Sequence, residues 1–250
     1  MAVGRGPAGA FDDRSAFTPE VLAHKGKYYL VYQAVKSPYR QRTRNCVGMA
    51  IADCPDGPWT KLHEPILRTT NNGIWLGQED VRVALKTGDF DSLKVHDPCL
   101  MYYKNKFYLY YKGQRVGEHN FYGQREIQWG VAIADQPQGP YVKSEYNPIT
   151  TSGHEVCVWH YNGGIALIHT IDGPEAGTIQ WAADGINFEI MSTIGNPPEA
   201  PGLYRTDNPD KEPLEGIRWG LCHKYGTGNW RNTWNYIRRF DIVQQEQPSI

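Results

Sequence analysis

The chain has 250 residues, with 26 Lys and Arg against 27 Asp and Glu for a net charge of −1. It therefore lacks the basic surplus that neutralises nucleic-acid phosphates or an anionic bilayer, and neither a nucleic-acid nor a membrane partner is expected. Sixteen Tyr, 8 Trp, 26 Gly and 17 Pro favour short strands punctuated by turns over an all-helical protein. No apolar run approaches the ~20 residues that span a bilayer. The first residues hold no apolar core of a secretory signal, and the compartment is left open. The five cysteines, Cys46, Cys54, Cys99, Cys157 and Cys222, are odd in number, widely spaced and without a C-x-x-C. They read as mostly buried thiols, not as a zinc ribbon or a disulfide framework.

In chain order, the first unit is "FTPEVLAHKGKYYLVYQ" from Phe17, two aromatic-rich runs around a K-G-K turn, followed by "VGMAIADCPDGPWTK" over 47–61. A charged loop, "GQEDVRV" over 77–83, stands beside Trp75 and reads either as a sugar-binding loop or as a solvated connection. The second unit, "HDPCLMYYKNKFYLYYKG" from His96, aligns with the first without a gap at an offset of 79, and "WGVAIADQPQGPYVK" over 129–143 repeats its second half. A third copy runs from "HEVCVWHYNGGIALIHT" (154–170) to "TIQWAADGINFEIMS" (178–192). A weaker fourth lies in 217–242, after the Pro-rich segments 195–202 and 207–216, which read as loops. Each turn-centred pair of apolar runs predicts a β-hairpin. No stretch sustains a 3.6-residue period. Four such units predict an all-β chain, a β-propeller.

In a propeller the first strand of each blade borders the central channel, so residues at the start of each unit converge. Thr18, Asp97 and Glu155 occupy those places. Asp97, between His96 and Pro98, reads either as a turn-capping aspartate or as a channel carboxylate. The repeat favours the second, because His154 and Glu155 stand at the same place one blade later. Two carboxylates across a channel suit inverting glycoside hydrolysis, where they lie ~6.5–9.5 Å apart. His154 reads as a proton donor, given an ordinary imidazole pKa of about 6.5, or as a group that orients Glu155. Substrate contacts are expected from Glu20, Gln33, Lys112 and His169 on or just after inner strands, and from His96 and His223. Trp75, Trp129, Trp159 and Trp219 are the candidates for stacking on sugar rings, against the alternative of packing between blades. No cofactor is expected. Ligation of a divalent cation by His96, His154, His169 or His223 stays open, although no spacing resembles a metal motif.

The segments "DDRSAFTPEVLAHKGKYYLVYQ", "GDFDSLKVHDPCLMYYKNKFYLYYKG", "GVAIAD", "YNPITTSGHEVCVW" and "ADGINFEI" together resemble the neoagarobiose hydrolases, the α-1,3-(3,6-anhydro)-L-galactosidases. The resemblance implies a five-bladed propeller, of which about four blades are expected here as a single domain over 1–250. It also implies an inverting, exo-acting release of 3,6-anhydro-L-galactose from neoagarobiose or short neoagaro-oligosaccharides. Asp97 would match the family's central aspartate, which orients and tunes the acid. His154 and Glu155 would match its His–Glu pair, with the histidine as general acid. Family members carry a further blade before the "FTPEV" unit, whose first strand brings the aspartate that activates water. They also carry an N-terminal helical segment that exchanges between the subunits of a dimer. Both are expected to be missing, which leaves a homodimer open but without that element. Any base within the chain would be sought at Asp12, Asp13 or Glu20. Two alternatives stand beside this reading: an inactive sugar-binding propeller, and an arabinan- or xylan-side-chain glycosidase of similar fold.

Overall fold

Each apolar run flanking a polar dipeptide becomes a strand, and each dipeptide a two-residue turn. Lys25–Gly26, Lys104–Asn105 and Asn162–Gly163 all take positive φ at both positions, the backbone that matches the right-handed twist of the flanking strands. The computed structural model describes residues 2–38, 44–76, 83–117, 127–170, 173–204, 219–225 and 235–241. In the first blade, β1 (Ser15–His24), β2 (Lys27–Val35), β3 (Cys46–Ala52) and β4 (Thr60–Lys61) pair in order, and β5 (Leu67–Arg68) also pairs with β3. A separate hairpin follows, β6 (Ile74–Leu76) and β7 (Val83–Lys86). The charged loop falls between its strands, and 77–82 lie outside the described residues.

The second blade is β8 (Lys94–Tyr103), β9 (Lys106–Gln114), β10 (Ile127–Ala134) and β11 (Val142–Lys143). The third is β12 (Val158–Tyr161), β13 (Gly164–His169), β14 (Thr178–Ala182) and β15 (Glu189–Thr193). A fourth sheet holds β16 (Glu199–Leu203), β17 (Trp219–Tyr225) and β18 (Asn235–Asp241). The arrangement is a propeller of four blades, with no helix among the described residues.

Two expectations about boundaries are corrected. The fourth blade begins at Glu199, inside a segment read as loop, because its Pro-rich sequence hides a strand that carries a bulge. Thr18 and Asp97 likewise lie within β1 and β8 and not before them. The ladder skips between Phe17 and Glu20, between His96 and Cys99, and between Glu199 and Gly202. Each skip holds one left-handed residue before a proline: Thr18 (φ 44°), Asp97 (φ 46°) and Ala200 (φ 46°). Proline cannot donate to the ladder, so it is accommodated where the pairing is already interrupted.

A buried polar clamp recurs in the first two blades. The Tyr32 hydroxyl donates to Asp12 at 2.9 Å, and Lys61 Nζ reaches the same carboxylate at 2.7 Å. In the second blade the Tyr111 hydroxyl donates to Asp91 at 2.9 Å, each 79 residues on, while Lys143 Nζ, 82 residues on from Lys61, lies 2.5 Å away. Burial first, and the facing carboxylate second, push both phenols well above their ordinary range, so each keeps the proton it donates. A Cβ at Gly48 would stand 2.4 Å from Tyr32 Cζ, and one at Gly130 would stand 2.5 Å from Phe90 Cζ and 2.9 Å from Tyr111 Cζ. That close approach is the reason for glycine in both "VGMAIAD" and "WGVAIAD".

Alternate faces of the strands build the core between blades. Tyr29, Val31 and Met49 of the first blade meet Leu100, Leu109 and Tyr111 of the second. The second blade's other face, with Tyr110, Trp129 and Val131, meets Val158, Ile165 and Leu167. The outer face of the first blade, with Leu30, Tyr32 and Ala34, is covered by Val3 and Phe11. The third blade turns Trp159, Ala166 and Ile168 toward Leu203 of β16.

Candidate active site

The bulges mark an equivalent rung in the first, second and fourth blades. In the first blade Phe17 faces Gln33, and in the second His96 faces Lys112. In the fourth Glu199 faces His223. His154 stands close enough to His96 and Asp97 to act on both electrostatically, and counting three residues back from the Val158–Leu167 pair puts Glu155 opposite Thr170. The equivalence of Gln33 and Lys112 expected from the repeat is therefore the observed register.

Asp97 forms an ion pair with Lys112, their side chains being 10% and 4% exposed. Burial alone would raise the Asp97 pKa. The Lys112 charge, with its hydrogen bond, outweighs burial and holds it well below the ordinary value. The carboxylate is thus a fixed negative charge at neutral pH. Burial and then Lys112 push His96 well below its ordinary value, so its imidazole is neutral. His154 Nδ1 stands 2.6 Å from Glu155 Oε1, and both side chains remain partly open to solvent, at 30% and 23%. A carboxylate accepting from Nδ1 leaves Nε2 as the nitrogen that exchanges a proton with a ligand.

The segment that carries this pair is tied to β10. Asn147 Oδ1 accepts from Val131 N and its amide donates to Val131 O. Ile149 N donates to Trp129 O, Trp129 N to Thr150 Oγ1, and Thr150 Oγ1 to Ser152 O. Gly153 then passes at φ 131°, and a Cβ there would stand 2.7 Å from Trp129 Nε1 and 3.2 Å from His169 Nε2. Only glycine fits both the backbone and the space.

The remaining expected residues divide. Gln33, His96, Lys112 and His223 stand on the rungs. Glu20 pairs with Val31, one step beyond the bulge. Trp75 sits on the β6–β7 hairpin with the Arg44 guanidinium 4.6 Å over its ring. Four placements are corrected. His169 is fully buried against Trp129, with ring centroids 4.9 Å apart, because it occupies the third blade's counterpart of Tyr111; the rung position is Thr170. Trp159 is buried between the third blade and β16, and Trp129 between the second and third. Trp219 is stacked on Tyr204 at 4.8 Å and covered by Arg239 at 4.7 Å. Asp12 is committed to its clamp. Asp13 accepts from the backbone of Gly9 at 2.8 Å and of Ser37 at 2.6 Å, so neither is a base at the channel. Among the described residues no group of three or more His, Cys, Asp or Glu is placed to hold a metal ion. Glu199 and Thr170 were missed, although "E-A-P" repeats the form of "F-T-P" and "H-D-P".

Among solved structures, Zg3597, a family 117 glycoside hydrolase from the marine bacterium Zobellia galactanivorans, superposes with a TM-score of 0.76 at 35% identity over 96% of this chain. The fold is that of the propeller glycoside hydrolases. This chain spans 65% of that protein, just under two thirds of its length. An α-L-arabinofuranosidase from Clostridium thermocellum matches at 15% identity with a TM-score of 0.52, over 94% of this chain and 72% of its own. A β-xylosidase/α-arabinofuranosidase from a compost metagenome matches at 16% identity with a TM-score of 0.55, over 95% and 72%. No protein-family model and no curated protein matches the chain.

Proposed function

We propose that the chain carries the proton-donating side of an inverting α-1,3-(3,6-anhydro)-L-galactosidase acting on neoagarobiose or short neoagaro-oligosaccharides. The observation that supports it most is the juxtaposition of a lysine-held Asp97 carboxylate with the His154–Glu155 pair. The likeness to a family 117 glycoside hydrolase over nearly the whole chain supports the glycoside-hydrolase reading. In this reading Nε2 of His154 protonates the glycosidic oxygen as the bond to the anomeric carbon breaks. Glu155, bonded to Nδ1, orients the ring and stabilises the imidazolium before transfer. Asp97 fixes a negative charge beside a transition state with oxocarbenium character. Water adds from the opposite face, activated by a carboxylate outside these two pairs.

The test is incubation of the 250-residue protein with neoagarobiose, following anhydrogalactose and galactose by chromatography and the anomeric configuration by proton NMR. Release with inversion would place the water-activating carboxylate within these residues, and Glu155→Gln and Asp97→Asn should then each lower turnover by about 10²–10⁴. Unchanged turnover in both variants would place the chemistry elsewhere. Binding without turnover would favour a sugar-binding propeller. Turnover of arabino- or xylo-oligosaccharides alone would favour a side-chain glycosidase.

A further inference from the structure

The fourth blade holds a channel carboxylate that the proposed chemistry does not use. Glu199 stands at the bulge of β16, in the place that His96 holds in β8, and pairs across the rung with His223, the counterpart of Lys112. Ala200 follows with the same left-handed φ as Asp97, 46° in both. The acid is therefore shifted one residue from the place of Asp97 and is carried on a longer side chain. Cross-strand neighbours have Cβ atoms about 4.5–5.5 Å apart. Glu199 and His223 thus present an acceptor and an imidazole side by side, a pairing that suits adjacent sugar hydroxyls.

The first blade puts a different group at that level. Phe17 is 45% exposed at the rung opposite Gln33, on a strand of which Leu22 packs against the core. An exposed phenyl ring facing a channel is a platform for the apolar face of a sugar ring. Lys61 and Tyr32 hold the Asp12 carboxylate of this blade away at its clamp. The first and fourth blades therefore offer one aromatic ring and one carboxylate at the level where the second and third offer Asp97, His96, His154 and Glu155.

We propose that Glu199 and Phe17 are substrate-binding residues of this channel, Glu199 accepting hydrogen bonds from sugar hydroxyls and Phe17 stacking on a ring. The inference rests on the glycosidase reading for its ligand and extends it to two blades that contribute nothing to proton transfer. It is tested by titration calorimetry and steady-state kinetics with neoagarobiose, and with arabinobiose and xylobiose in parallel, on the parent, Glu199→Gln and Phe17→Ala. Circular dichroism and the melting temperature would confirm that all three are folded. Glu199→Gln should weaken Kd and raise KM by about 10- to 100-fold, the loss of a hydrogen bond to a charged group, with kcat within about 3-fold of the parent. Phe17→Ala should weaken both by about 5- to 10-fold.

Unchanged Kd and KM in both variants would overturn the assignment while leaving the glycosidase reading standing. A loss carried by kcat in Glu199→Gln, restored by azide, would overturn it by making Glu199 the group that activates water. A parent that binds a sugar without cleaving it would end the glycosidase reading, and the Kd comparison would still decide the roles of Glu199 and Phe17. A parent that binds none of the three sugars would remove both.

Discussion

At the scale of single residues, Asp97 and Lys112 are a buried pair, and breaking such a pair strands the partner charge. Asp97→Asn should therefore destabilise the protein by about 3–5 kcal/mol as well as silence it. Adding Lys112→Met should restore much of that stability and none of the activity, a split that chemical denaturation and turnover assays read separately. His169 carries the opposite charge logic. Burial holds its imidazole neutral and lowers its pKa from 6.5 to about 4, with Glu175 opposing the shift. The unfolded chain takes up that proton first, so the stabilisation is complete above about pH 6.5 and is lost as the pH falls toward about 4. Urea titrations across that window should show stability falling with acidity, with a shallower slope in His169→Gln. The nearness of Asp97 to His154 was legible because the repeat aligned the two. The burial of His169 was not, since a one-residue offset on a strand turns a side chain to the other face and nothing in "ALIHT" marks which face is which.

At the scale of elements, the Tyr–Asp–Lys clamp is the device that the repeat carried without announcing it. Asp12 read as a place to seek a base, and only the copy at Asp91, with its tyrosine 20 residues on in both cases, shows it to be structural. Tyr32→Phe and Tyr111→Phe should each cost about 1.5–3 kcal/mol, the loss of a hydrogen bond to a buried charge. Equal losses in the two, measured by thermal denaturation, would express the equivalence of the blades. The hairpins were legible from the polar dipeptides, because type I′ turns demand residues that tolerate positive φ. The strand β16 was not legible, because proline argues against a strand unless a bulge accommodates it.

At the scale of the molecule, burial is unevenly shared. The first three blades interlock through two aromatic clusters, whereas β18 leaves Tyr236 and Ile237 at 50% and 73% exposure and β17 leaves Leu221 at 47%. Regions with few buried apolar contacts open first. Native-state hydrogen exchange should therefore release the amides of β17 and β18 well before those of β9, and comparable protection in both would show that the blades unfold as one unit. The left-handed position before each proline bears on how such a ring can change. A residue there is already excused from the ladder, so Thr18, Asp97 and Ala200 answer to the channel and hardly at all to the sheet. They are sockets of one shape. A lineage, or an engineer, can exchange the side chain in one of them and alter what the channel does while the blade around it goes on folding as before.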